Sequence, residues 1–228
     1  MDASCGHPEA PATAKRCTRL GSLFEEAAMI IRPAIARALL RVTRWKVVGE
    51  VPAVGVAVGA PHTSYWDWVT MLMIMWRGGR KPRVLIKKEL FHGPLGWLLT
   101  VTGGVPVDRE QPSALIRVLM KQAKSGEDFL LVIAAEGTRS KGEYWKPGFY
   151  RIARAARMPI ALGFVDGPTR TMGFGPSLVP TGDVRADMDV IRAFYADKHG
   201  VHPDRRTEPR LPEEDKPQRP ADPTHPPR

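Results

Sequence analysis

The chain predicts an α/β fold: a single layered domain in which a mostly buried mixed sheet is flanked by helices, with an N-terminal amphipathic basic helix ahead of it. Three observations carry this expectation. Short apolar runs, "AVGVAVGA" (53–60), "RVLIKK" (83–88), "FLLVIAA" (129–135) and "PIALGFV" (159–165), recur along the chain, and most are flanked by Gly, Pro or charged residues. Segments with helical spacing lie between most of them, which is what crossovers between parallel strands require. The strand runs are apolar at nearly every position, as strands buried on both faces are.

The elements follow in order. Residues 24–45, "FEEAAMIIRPAIARALLRVTRW", have helical periodicity, with Pro33 breaking or restarting the helix. On a helical wheel Ile35, Leu39 and Val42 share one face, flanked by Ala38 and Trp45, and Arg37, Arg41 and Arg44 gather opposite. Such a helix suits a headgroup region, and it equally suits ordinary packing on a core. The strand at 53–60 leads into an apolar helix from Trp66 to Trp76. A strand (83–88), a short helix (93–99), a strand with a Gly-rich entry (103–109) and an amphipathic helix (113–126) come next. Then follow the strand at 129–135, a helix (148–157), strands at 159–165 and 173–179, and a last helix from Ala186 to His199. Residues 1–20 lack periodicity. Residues 21–202 form the domain, with 21–46 as its amphipathic segment. Residues 203–228 hold eight prolines and almost no apolar side chains, which predicts a disordered tail.

Composition limits the function classes. The net charge is +10, and the tail from Pro203 is neutral, so the excess belongs to the residues before it. Such an excess suits a partner carrying phosphate or an anionic membrane surface, or is simply a solvated basic face. A nucleic-acid role would want aromatics interleaved with basic residues on an exposed surface, whereas Trp66, Trp68 and Trp76 sit in apolar context, which argues against it. Cys5 and Cys17 make no Cys-x-x-Cys pair, so neither a disulfide framework nor a metal site is expected. No secretory signal and no apolar run of membrane-spanning length is visible, so contact with a membrane would be peripheral.

Three constellations could carry chemistry. In "GAPHTSYWDWV" (59–69), His62 follows the end of a strand, and Asp67 stands three residues after Ser64, where the helix begins. Asp67 then reads as the partner in a capping box, or as the carboxylate that orients a histidine base. "AAEGTRS" (134–140) follows the best strand, and its carboxylate, glycine, hydroxyl and arginine make either an anion cradle or a surface turn with a local ion pair. In "GGVPVDRE" (103–110), Gly103 and Gly104 allow close backbone approach and Arg109 adds a guanidinium. Lys87 and Lys88 close a strand that would share this edge in a parallel sheet.

In this order, "HTSYWD", "GGVPVDR", "EGTRS" and "MPIALGF" resemble the four motifs of the glycerolipid acyltransferases, the group of bacterial 1-acylglycerol-3-phosphate acyltransferases. The resemblance covers Gly49 to about Val165, and "EGTRS" is its strongest piece. The chain departs from the pattern at Pro61, where many members carry Asn, at Ala134 and Ala135 before the third motif, and at Gly163 and Phe164 in the fourth. None touches the presumed chemistry, but the second to fourth motifs shape the acceptor pocket in the family, so the departures bear on which acceptor is used.

The resemblance implies transfer of a fatty acyl group from acyl-CoA or acyl carrier protein to a lysophospholipid hydroxyl, 1-acylglycerol-3-phosphate first. The thioester is a co-substrate, and no metal or other cofactor is expected. His62 would be the base and Asp67 its orienter. Glu136, Gly137, Thr138, Arg139 and Arg109 would bind the acceptor's phosphate or other polar headgroup, with Lys87 or backbone near Gly103 and Gly104 facing the oxyanion. The partners implied are the lysolipid, the donor and an anionic membrane surface, at its cytoplasmic face. Met71, Met73, Met75 and Trp76 read as core or as the lining of an acyl groove. The alternatives are the same chemistry on a glycolipid or aminolipid acceptor, and a non-catalytic basic peripheral-membrane module.

Overall fold

The computed structural model describes residues 30–80, 83–107 and 128–216. The expectations for residues 1–29, Arg109, the 113–126 helix and residues 217–228 lie outside this description.

Residues 30–43 are helical (α1). They lead into β1 (Lys46–Val48), β2 (Val54–Ala60), α2 (Trp66–Arg77), β3 (Arg83–Lys87), α3 (Gly93–Val101) and β4 (Gly104–Val107). After these come β5 (Phe129–Ile133), α4 (Gly148–Ala156), β6 (Ile160–Asp166), β7 (Thr171–Leu178) and α5 (Val184–Tyr195). The seven strands form one sheet in the order β1-β7-β6-β2-β5-β3-β4. From β6 to β4 all neighbours are parallel, and β7 turns back antiparallel to β6 and pairs with β1. The expected mixed, layered α/β sheet is present.

Strand alternation distributes the core to the two faces of the sheet. On one face Val56, Val58 and Ala60 of β2 and Ile160, Leu162 and Phe164 of β6 pack with Phe149 and Ala153 of α4 and Met188, Ile191 and Tyr195 of α5. On the other, Ala57, Ala161 and Val165 meet Met73, Ile74 and Met75 of α2. Met73 and Met75 are therefore core, and the acyl-groove reading of these methionines does not hold for them. The sequence reading missed β1, a three-residue edge strand too short for periodicity to reveal. Its pairing with β7 requires Gly173, where a Cβ would stand 1.9 Å from the Val48 carbonyl oxygen. The last helix begins two residues earlier than expected because Asp183 caps it, accepting from the Arg185 and Ala186 N–H groups.

Helix α1 turns a different side to the protein than its composition suggests. Ala36 is fully buried and Leu40 partly so, whereas Ile35, Leu39 and Val42 are exposed. The predicted apolar face is an outer flank of the helix.

The disordered tail is corrected over residues 203–216. Trp145 donates through its ring Nε1 to the Thr207 carbonyl (3.1 Å) and through its backbone N–H to the Arg210 carbonyl (2.8 Å). Arg192 bridges Glu214 at 2.8 Å, and Arg151 pairs with Glu213. Leu211 is 1 % exposed and joins the core beside α4 and α5. Composition misleads here because backbone bonds and one leucine, rather than an apolar run, hold the segment. Leu211→Ala should lower the unfolding free energy by about 2–5 kcal/mol, as for other buried leucines. Urea unfolding measures this, and a change near zero would mean the segment is not packed.

Candidate functional site

The parallel strands β2, β5, β3 and β4 end on one edge of the sheet, and the loops beyond that edge hold most of the residues singled out from the sequence. Pro61 follows β2, and His62 is the next residue. Its Nδ1 lies 3.0 Å from Asp67 Oδ2, with the two side chains 23 % and 9 % exposed. The same oxygen accepts from the Thr63 and Ser64 N–H groups, each at 2.9 Å. Asp67 therefore holds the amides of the turn just ahead of α2, whose own N-cap residue Tyr65 has no side-chain cap bond, and it fixes the ring of His62. The capping box is one-sided: Ser64 Oγ accepts from the Trp66 N–H at 3.2 Å, not from Asp67. The other carboxylate oxygen of Asp67 is buried without a hydrogen-bond partner.

Glu136 stands just beyond β5, the neighbour of β2. It was expected to bind the acceptor headgroup, and the structure corrects this. The residue is 1 % exposed. Its Oε1 accepts from the His62 N–H at 2.6 Å, and its Oε2 accepts from the Thr207 N–H at 3.1 Å. Burial raises its pKa above the ordinary glutamate value, and those two donors only partly offset the rise.

The rest of the "EGTRS" turn does face outward. Gly137 adopts φ +68°, where any Cβ would also press on the Lys146 side chain at 2.8 Å. Gly137 and Thr138 are exposed, and Thr138 Oγ1 accepts from the Ser140 N–H at 3.3 Å. Arg139 is half-buried and lies flat on Tyr65, its guanidinium carbon 3.8 Å from the ring centre. Among the described residues no carboxylate pairs with it. Tyr65 and Trp66 are 78 % and 65 % exposed. Trp66 is thus not in the apolar context expected of it.

The glycines of the second motif are elsewhere. Gly104 pairs in register with Val84, which is level with Val132 and hence with Ala57, several residues short of His62. Gly103 N–H already donates to the Thr100 carbonyl at 3.2 Å. A Cβ on Gly104 would stand 2.8 Å from the Leu99 carbonyl oxygen. Gly103 and Gly104 serve the close packing of α3 on β4, and their assignment to the site is corrected. Lys87 ends β3 in register with Val107, so its backbone does reach the edge where His62 lies. Its side chain and Arg109 lie outside the description.

Sequence reasoning missed Thr63, His202 and Thr207. Thr63 is fully buried, and its Oγ1 accepts from the His202 N–H at 3.0 Å. Nothing local in the sequence links residues 63 and 202, or 136 and 207. Only the chain path does.

Glu136 has a consequence for stability. Because its folded pKa lies above its unfolded value, the folded protein holds the proton to higher pH. Stability from this group is complete below the unfolded pKa and is lost as pH rises through the folded one. Urea midpoints across the weakly acidic range should therefore carry a downward slope from Glu136, which Glu136→Gln removes. An unchanged pH profile in that variant would show that the carboxyl is not raised.

Comparisons with known proteins place the chain in a family. The family model described as Acyltransferase matches residues 44–162. The chain is 34 % identical over 123 residues to the 1-acyl-sn-glycerol-3-phosphate acyltransferase of Streptococcus pneumoniae (strain ATCC BAA-255 / R6), a match covering 50 % of this chain and 42 % of that protein. It therefore spans less than half the length of that curated relative. Its fold is similar to the crystal structure of the 1-acyl-sn-glycerophosphate (LPA) acyltransferase PlsC from Thermotoga maritima. The TM-score is 0.50 at 16 % identity, covering 76 % of this chain and 80 % of that one. With more than half of its residues matched by the family model and its fold shared, the chain belongs to the acyltransferase family.

Proposed function

We propose that the chain moves a fatty acyl group from an acyl thioester, acyl-CoA or acyl carrier protein, to the free hydroxyl of 1-acylglycerol-3-phosphate, in phospholipid biosynthesis. The observation that carries this is the 3.0 Å contact between His62 Nδ1 and Asp67 Oδ2 at the open edge of the sheet. A neutral ring that donates Nδ1–H to Asp67 presents the Nε2 lone pair, which takes the proton from the acceptor hydroxyl as its oxygen attacks the thioester carbonyl. The tetrahedral oxyanion then collapses, the C–S bond breaks, and the imidazolium returns the proton to the departing thiolate. The thioester is already activated, so the chain's own task is to position a base and an alcohol. Arg139, flat on Tyr65 and free of carboxylate partners among the described residues, suits the acceptor's phosphate, which a guanidinium grips in a bidentate way. Lys87 at the end of β3 and Arg109 beyond β4 belong to the same proposal by their place in the chain.

The acceptor and the product are lipids, and donors of this kind put the reaction at the cytoplasmic face of a membrane. Among the described residues no helix is long and apolar enough to cross a membrane. The exposed flank of α1, Ile35, Leu39 and Val42, with exposed Arg37 and Arg41 on the other side and exposed Arg44 in the turn that ends the helix, supports peripheral docking on an anionic surface. Each such cation contributes on the order of 1 kcal/mol near the headgroups.

Three variants test the reading. His62→Ala should lower kcat by at least ~10²-fold in an assay of thiol release from acyl-CoA with lysophosphatidate; undiminished turnover would sink the proposal. Arg139→Lys should raise the acceptor KM more than it lowers kcat, and the reverse would put Arg139 in the chemistry. Replacing Arg37, Arg41 and Arg44 with glutamine should weaken binding to phosphatidylglycerol vesicles by tenfold or more (roughly, from the per-residue figure above), while binding to neutral vesicles changes little. Unchanged binding to the anionic vesicles would remove α1 from the docking surface.

A further inference from the structure

We propose that the C-terminal segment 202–211 is a working part of the catalytic centre, with Glu136 and Thr207 acting as positioning residues for His62. The inference rests on His62 being the base, and it goes beyond that reading by assigning a role to chain outside the 44–162 family match.

Glu136 cannot reach a lipid headgroup, because it is buried and each of its oxygens already holds a backbone amide. What it does is span. One oxygen holds the N–H of the base-bearing residue, and the other holds the N–H of Thr207. Thr207 is itself held at two more points: its carbonyl accepts from Trp145 Nε1 at 3.1 Å, and its Oγ1 accepts from the Gly142 N–H at 2.9 Å. Trp145 is 1 % exposed and packs edge-on against Phe149 and Tyr195, so the anchor sits deep in the core. A second tie runs directly from the segment to the loop, His202 N–H to Thr63 Oγ1 at 3.0 Å. Between β2 and α2 the loop is therefore held from below by Asp67 and from the side by the C-terminal segment. A misplacement of about 1 Å at a reacting group can lower a rate 10²-fold, and these bonds set the position of the backbone that carries the ring.

Two variants test this with acyl-CoA and lysophosphatidate. Glu136→Gln keeps the volume but turns an N–H donor toward one of the two backbone N–H groups. It should lower kcat roughly 10- to 100-fold while the acceptor KM stays within about twofold. Thr207→Pro removes the N–H that Glu136 accepts, and the preceding Arg206, at φ −62° and ψ 131°, already has the conformation that a residue before proline adopts. It should lower kcat in the same sense, whereas Thr207→Ser retains the wild-type value. The double variant should be no slower than the slower single one, as for two parts of one unit. Amide hydrogen exchange at His62 should accelerate in Glu136→Gln.

An acceptor KM that rises while kcat holds would mean that Glu136 touches substrate, and would overturn the proposal. So would a folded Thr207→Pro with wild-type kcat. Should that variant fail to fold, the exchange rate at His62 in Glu136→Gln decides, and unchanged protection there overturns the inference. Activity surviving His62→Ala would remove the base itself. An inactive His62→Ala beside wild-type rates in both positioning variants would overturn only the role of the segment.

Discussion

A single carboxylate oxygen, Asp67 Oδ2, joins the fold of this protein to its chemistry. It receives the Thr63 and Ser64 amides, and it lies against the ring of His62. Those two amides belong to the turn between β2 and α2, and both residues are buried, so the turn needs an acceptor at this place whatever the protein does. The histidine borrows that acceptor. A strand ends, the chain turns once, and the residue that closes the turn also orients the ring. Holding the turn and orienting the ring look like competing explanations of a His-x4-Asp pattern, but in three dimensions one atom does both.

A second carboxylate completes the arrangement by treating the backbone rather than the ring. Glu136 is buried more deeply than Asp67, and a buried charge is unfavourable unless donors surround it. Its two donors come from chain segments far apart in sequence, the loop after β2 and the C-terminal segment. That is a costly way to satisfy two amides, since a backbone carbonyl would do the same without a charge. Its use lies in reach, because a glutamate side chain bridges a gap that neither backbone crosses. The rise in its pKa by burial is the thermodynamic trace of that arrangement.

Much of the sheet was legible because buried parallel strands are apolar at nearly every position, and "FLLVIAA" and "PIALGFV" satisfy that pattern. The His62–Asp67 pair was legible because both residues flank one strand-to-helix junction, where geometry is nearly local. What failed was of another kind. Gly103 and Gly104 looked like part of an anion site, yet strand register puts them well short of His62, and register between parallel strands has no local signature. Glu136 and Arg139 are three residues apart in one motif, but one points inward and the other lies on Tyr65. The segment after Pro203 was misread because composition counts apolar side chains. Its order comes instead from the Thr207 carbonyl, amide and hydroxyl, paired with Trp145, Glu136 and Gly142, which composition does not register.

The orientation of α1 bears on the proposed contact with lipid. Stability in water would be served by turning the helix so that Ile35, Leu39 and Val42 lay against the sheet layer, since burying such side chains contributes about 1.5–3 kcal/mol each. The helix instead buries Ala36 and part of Leu40, roughly a third of a turn away. Helix α3 repeats the pattern: Leu95, Trp97, Leu98 and Val101 are exposed, and only Gly96 is buried. Two helices that leave their largest apolar residues outside, in a domain whose centre is tied down by buried amides and carboxylates, divide the molecule by solvent. The chemical edge is tied at several points, and the apolar residues of α1 and α3 stand exposed on the flanks, which is the physical argument for the proposed docking on a bilayer.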